Sequence, residues 1–325
     1  MPGREGRRMR FCLMVEGQEG ITWEQWLALS DACERLGFDG LFTSDHYFSV
    51  MGAAGRGSSD AWTALSAVAA RTERLRLGTL VSPVTFRLPT VLAKVATTVD
   101  HISGGRVEIG MGAGWWEEEH RTHGIPFPPT SERMRILEEQ LEIVHGLLSE
   151  EVFSFRGDHY TLQDCRFVPK GVQRPHPPII VGGKGGARMS RLVARWADEF
   201  NTHGGPPKEV GDRFARVREA VDAAGRDQAT VTTSFMTLVC VGVDEASYRE
   251  RVQRTRRLDP DAGSFDDFLA DLESDSIVGT PDRAAERLSE YAAAGVQRVF
   301  LNHLLFDDVD TLELLAREVF PRVTG

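Results

Sequence analysis

Asp45 and His46 stand side by side in the stretch LFTSDHYF (41–48), where a run of apolar residues gives way to polar ones. An imidazole titrates near neutral pH without perturbation, so a histidine at a strand end beside an acid is a candidate general acid or base. The plainer reading is that Asp45 caps a loop and His46 is a satisfied or surface histidine. A second candidate is Gly182-Gly183-Lys184-Gly185-Gly186, a glycine-rich turn entering a helix, whose backbone N–H groups and lysine suit an anion such as a phosphate. A third is Gly110-Met111-Gly112-Ala113-Gly114-Trp115-Trp116, where glycines permit close approach of a ligand to the backbone and two tryptophans offer an aromatic wall. Its Gly-x-Gly-x-Gly spacing misses the dinucleotide fingerprint because position 115 is Trp. A phosphate cradle, close-approach backbone, an aromatic wall and an acid–histidine pair are the equipment for a flat, phosphorylated cofactor.

Something must bring these segments together, and the hydrophobic pattern says what. Apolar strands read at 11–15, 40–43, 75–81, 107–111, 179–181, 199–202, 231–241 and 299–302, nearly every one followed by a helix. Thr22 with Gln25 fits a capping box, Gly37 and Gly295 read as helix ends, and Thr280-Pro281 reads as a helix start. The long helix expected over 131–148 carries Met134, Leu137, Leu141, Val144 and Leu148 on one stripe. Strict alternation implies a parallel sheet, and eight units favour a closed (β/α)8 TIM barrel over the rival open, doubly wound sheet. In such a barrel the carboxyl ends of the strands form the active-site rim, which is where all three candidate segments fall. His203 and His303, near the ends of the sixth and eighth strands, are reserve candidates for the catalytic group. No Gly/Ser linker divides the chain, so one domain over 1–325 is expected. Its insertions are a β-hairpin within about 151–175, turning at Gly157-Asp158, and a polar helical segment at about 244–275.

The 325 residues carry a formal net charge of -10, which argues against nucleic-acid binding, since that needs a basic face. The four cysteines, Cys12, Cys33, Cys165 and Cys240, form no Cys-x-x-Cys pair, so no metal site is expected and most read as small core hydrophobes. The arginine-rich start, MPGREGRRMR, has no apolar stretch behind it that would make a secretory signal, and reads as a short disordered lead-in. No run approaches the roughly 18 apolar residues of a membrane span. The cytoplasm is the expected location.

Five segments, SDHYF (44–48), LGTLVSP (77–83), HISGGRVEIGMGAGW (101–115), PPIIVGGKGG (177–186) and VGTPDRAAERL (278–288), together resemble the bacterial luciferase-like flavin and deazaflavin oxidoreductases across nearly the whole chain. The resemblance implies the same barrel and, through Ser-Asp-His after the second strand, the branch that uses the deazaflavin coenzyme F420. There His46 would lie over the reactive face of the ring and Asp45 would contact the cofactor. The third strand, through Thr79, Leu80 and Val81, would press a non-prolyl cis peptide at Leu80-Val81 against the ring. The backbone of Gly112, Ala113, Gly114 and Trp115 would line the cofactor's polar tail, and Gly182 to Gly186 would hold its phosphate. Relatives that use FMN keep the same barrel and phosphate turn. The alternative is therefore an FMN-dependent monooxygenase working on reduced flavin and O2 and needing a flavin reductase as partner. A barrel that binds a cofactor without catalysis is a third reading. The sugar-phosphate-oxidising branch has a glutamate where this chain has Trp115, and a lysine where it has Gly204-Gly205-Pro206-Pro207. A sugar phosphate is thus not the expected substrate, and Trp115, Trp116, Phe48 and Phe86 point to an apolar or aromatic-lined pocket. A small-molecule substrate and a homodimer are expected, without a nucleic-acid or membrane partner.

Overall fold

The computed structural model describes residues 8–52 and 55–323. The arginine-rich lead-in therefore lies almost wholly outside the described residues. The strands are β1 (Arg10–Val15), β2 (Gly40–Thr43), β3 (Arg76–Thr79), β4 (Ser82–Pro83), β5 (Val107–Gly112), β6 (Phe153–Arg156), β7 (Thr161–Cys165), β8 (Ile179–Gly182), β9 (Glu199–His203), β10 (Thr232–Val241), β11 (Ile277–Gly279) and β12 (Arg298–Asn302). The helices are α1 (Trp23–Leu36), α2 (Ala61–Arg71), α3 (Pro89–Ser103), α4 (Glu117–Thr122), α5 (Thr130–Ser149), α6 (Ala187–Trp196), α7 (Pro207–Ala223), α8 (Glu245–Arg256), α9 (Phe265–Asp275), α10 (Pro281–Ala293) and α11 (Val309–Leu314).

Parallel pairing runs β1-β2-β3-β5-β8-β9-β10-β12, and β12 returns to β1, so the sheet closes on itself as a (β/α)8 TIM barrel. The sequence reads α1 clearly because its ends are fixed locally. Gln25 N–H donates to Thr22 Oγ1 at 3.3 Å, Thr22 N–H donates to Gln25 Oε1 at 2.8 Å, and Gly37 takes the left-handed turn at φ 82°. The third strand departs from the expected continuous 75–81. It breaks into β3 and β4 around a cis Leu80-Val81 peptide, the bond the family resemblance singled out. The hairpin β6–β7 turns through residues 157–160, longer than the Gly157-Asp158 turn expected. Glu139 on α5 accepts hydrogen bonds from the N–H groups of Asp158, His159 and Tyr160 in that turn. The segment after β10 is α8 and α9, followed by β11, which lies against the end of β10.

Inside the barrel Cys12, Met14, Phe42, Leu80, Ile180 and Phe300 pack together. Beneath them, at the amino ends of the strands, Arg298 is 1% exposed and bonds Glu108 at 2.6 Å and Glu199 at 3.0 Å, with Arg76 on the other side of Glu108. Its guanidinium also lies 4.8 and 4.7 Å from the ring centroids of Phe42 and Phe300, which pack edge-on to one another. Charges this deep persist only when each has partners, so this end of the barrel is sealed. The opposite end is open.

Candidate active site

A cavity of about 720 Å³ occupies the carboxyl-end mouth, within the usual range for small-molecule sites. Of the residues singled out in the sequence, His46, Leu80, Val81, Gly112, Ala113, Gly114, Trp115, Gly182, Gly183 and Lys184 line it. Asp45, Thr79, Gly185 and Gly186 do not. Asp45, expected as a cofactor contact, is held in the wall beside the cavity, with Oδ1 left without a partner among the described residues. Its carboxylate is 2% exposed, ion-paired with Arg87, and accepts the Ser82 hydroxyl at 2.6 Å. Thr79 is likewise turned into the wall, its hydroxyl donating to Gly110 O at 3.3 Å. Successive side chains of an extended segment point to opposite sides, so Asp45 and His46 diverge although they are adjacent.

The acid that His46 does have was not foreseen. Glu119, the third residue of α4, is 1% exposed and accepts from His46 Nδ1 at 2.8 Å and from Tyr47 N–H at 2.6 Å. The carboxylate fixes the tautomer and the ring direction, leaving Nε2 as the nitrogen able to exchange a proton. Among the described residues nothing hydrogen-bonds Nε2. Burial pulls the His46 pKa down. The hydrogen bond and charge of Glu119, helped by Glu16 and Asp45, outweigh it and hold the pKa above the ordinary histidine value. Two other histidines line the cavity and behave oppositely. Burial lowers His120, whose Nδ1–H donates to Trp116 O at 2.7 Å while Nε2 accepts from the Thr85 hydroxyl at 2.6 Å. Burial, with Lys184 and Arg213 nearby, lowers His203 to about 4. His303 is 1% exposed and is not among the lining residues. Of the cavity histidines described, His46 alone is built to hold a proton.

The three strand ends on the other side offer a seat for a flat, phosphorylated group. Val81 projects over β5 and β8: a Cβ on Gly112 would sit 2.6 Å from Val81 Cγ2, and one on Gly182 would sit 3.1 Å from Val81 Cγ1. The three residues form an apolar shelf in the cavity. Beyond it, α6 begins at Gly186 with no side-chain cap, and a Cβ there would meet open space. Among the described residues, the N–H groups of Lys184, Gly185 and Gly186 have no hydrogen-bond partner, while Arg216 and Ser190 hold the turn in place through Gly185 O. The Gly183 N–H, which the sequence reading included in the turn, is used already, donating to Asn201 O at 2.9 Å. Free N–H groups at a helix start beside a lysine suit a phosphate. Trp115, 61% exposed, stacks on Trp116 with centroids 5.9 Å apart, and the His46 ring stands edge-on to both at 5.8 and 5.9 Å.

The molecule is thus a TIM barrel whose open mouth is lined by His46, by Val81 with Gly112 and Gly182, and by Lys184. Over residues 9–298 it matches the family described as luciferase-like monooxygenase, and the chain belongs to that family. It is 26% identical over 321 residues to an FMNH2-dependent dimethylsulfone monooxygenase of Pseudomonas putida, covering 91% of this chain and 86% of that one. A monooxygenase from Streptomyces bottropensis superposes with a TM-score of 0.84 at 24% identity, over 97% of this chain and 100% of that one. A coenzyme F420-dependent tetrahydromethanopterin reductase from Methanopyrus kandleri superposes with a TM-score of 0.82 at 20% identity, over 98% of this chain and 100% of that one. The likeness to these two structures is one of fold.

Proposed function

We propose that this protein is a coenzyme F420-dependent oxidoreductase that moves a hydride between the deazaflavin and a small organic substrate, with His46 as the general acid–base. The observation that carries the reading is the His46–Glu119 pair at 2.8 Å in the barrel mouth. Moving a hydride onto a polar double bond leaves an electron pair on the heteroatom, which a positioned acid must protonate; in reverse a base must take that proton. The bound deazaflavin supplies or accepts the hydride, and the protein supplies orientation and the proton. Val81, Gly112 and Gly182 seat the ring, and Lys184 with the start of α6 holds the phosphate.

His46→Ala tests this. Against a substrate found by screening small organic compounds with reduced F420, the variant should turn over on the order of 10²–10⁴-fold more slowly. Its affinity for F420 should change little, because the shelf and the phosphate turn remain. Full turnover in the variant would remove His46 from the chemistry. Turnover absent from wild type and variant alike, with F420 binding intact in both, would make this a binding protein.

A second reading, an FMN-dependent monooxygenase fed by a flavin reductase, is favoured by the Pseudomonas putida relative. It predicts substrate-dependent oxygen consumption when reduced FMN is supplied.

A further inference from the structure

The charges around the cavity mouth are not evenly spread. Going round the barrel, Lys184 follows β8, and it is the only lysine or arginine among the described lining residues. Its ammonium is tied to His203 O at 2.7 Å, at the end of β9. Three strands away, where β12, β1 and β2 meet, the lining is Asn302, Glu16, Gln18 and His46. Glu16 follows β1 directly. Its Oε2 accepts from Gln18 Nε2 at 2.7 Å and its Oε1 from Asn302 Nδ2 at 3.2 Å, both neutral amides. The other two lining carboxylates have cationic partners, Glu19 with Arg56 at 3.4 Å and Glu119 with His46. Because His46 and Glu119 offset one another, Glu16 decides the sign of this sector. Asn302 Oδ1, buried and without a partner among the described residues, adds a second acceptor there. Trp115 and Trp116 stand against His46 and complete a compartment with an aromatic wall and hydrogen-bond acceptors facing in.

We infer that the substrate is an apolar, ring-bearing molecule with a basic nitrogen, whose cationic N–H groups bond Glu16 and whose body lies along Trp115. This rests on the proposed reading only in assigning the Lys184 end to the cofactor. A carboxylate held by neutral amides bonds an ammonium strongly, since a charged donor meets a charged acceptor in a partly dry site, and tryptophan faces attract cations. An anionic substrate would find no cation in this sector except His46, which Glu119 already pairs, and would face Glu16.

The test uses three ring probes of nearly one shape, benzylamine, benzyl alcohol and benzoate, titrated calorimetrically into the full chain. Benzylamine should bind about tenfold or more tighter than benzyl alcohol, a difference typical of a charged hydrogen bond, and benzoate should bind weakest. In Glu16→Gln the amine's advantage over the alcohol should fall to about twofold or less. Trp115→Leu, a change at an exposed position, should weaken all three and keep their order. Benzoate binding best, an amine preference that survives Glu16→Gln, or affinities unmoved by Trp115→Leu would overturn the inference. F420 binding is measured separately. A chain that rejects F420 but keeps the Glu16-dependent preference for the amine would defeat the cofactor reading and leave this one standing.

Discussion

A buried imidazole ordinarily loses its proton, so His46 depends on Glu119 for its charge. Burial acts first and lowers the pKa; the Glu119 hydrogen bond and charge reverse the direction. Glu119→Gln keeps the shape and removes the charge. The wild-type His46 proton is retained to higher pH than that of a free histidine, so the alkaline limb of the pH–rate profile should move to lower pH in the variant. Stability follows the same sign. The pair's contribution is full below the ordinary histidine value of about 6.5 and is lost as pH rises through the raised value. The melting-temperature gap between wild type and Glu119→Gln should therefore be widest under acidic conditions and close toward alkaline pH. A gap independent of pH would mean that Glu119 acts only as a hydrogen-bond acceptor for Tyr47. Sequence reading reached His46 but not the carboxylate that pairs with it, for a physical reason. Asp45 is adjacent in the chain but points the other way, to Arg87 and Ser82. Glu119 lies 73 residues on, in the run Glu117-Glu118-Glu119, where its neighbours are exposed and nothing in the pattern marks it as the buried one.

The helices that carry local end signals were legible almost to the residue. Thr22 caps α1, Asp60 caps α2 through Thr63 N–H at 2.8 Å, and Pro281 opens α10 after Thr280. The pieces that escaped notice are short: α4 spans six residues and β4 two. Elements of that length are marginal by themselves and form because the barrel rim holds them, so they leave little trace in local propensity. The glycines of β5 were read as allowing a ligand close. The structure gives Gly110 a different task, since a Cβ there would meet Thr79 O at 1.9 Å, against the backbone of β3. Gly110→Ala should push β5 away from β3 and cost at least about 1–3 kcal/mol, as overpacking does. Gly186→Ala, whose Cβ would meet nothing within 4 Å at a φ of -69°, should cost far less. Urea unfolding of the two variants side by side checks this, and equal stabilities would show that β3 and β5 are not in close register at Gly110.

The closed barrel was the feature most fully legible, because eight strand–helix units repeat along the chain and the alternation itself dictates a parallel sheet. The same pattern carries no information about substrate, which depends on the loops over the mouth. There Arg56 ties the segment after β2 both to Glu19 and to Leu258 O, in the connection between α8 and α9. Among the described residues no helix is long and apolar enough to cross a membrane. The formal net charge of -10 gives no general attraction for an anionic cofactor. On the proposed function, binding comes from the local seat of Lys184, the start of α6 and the Val81 shelf. FMN and coenzyme F420 both carry a phosphate, so the seat alone does not choose between them; the proposed function requires the mouth built around His46 to choose the deazaflavin. The direct measurement is an equilibrium titration of the full chain with F420 and with FMN, each followed by fluorescence and then competed against the other. F420 should bind at least about tenfold tighter and displace FMN, a difference of about 1.4 kcal/mol. FMN binding tighter, and holding its place against F420, would rule out the F420-dependent function.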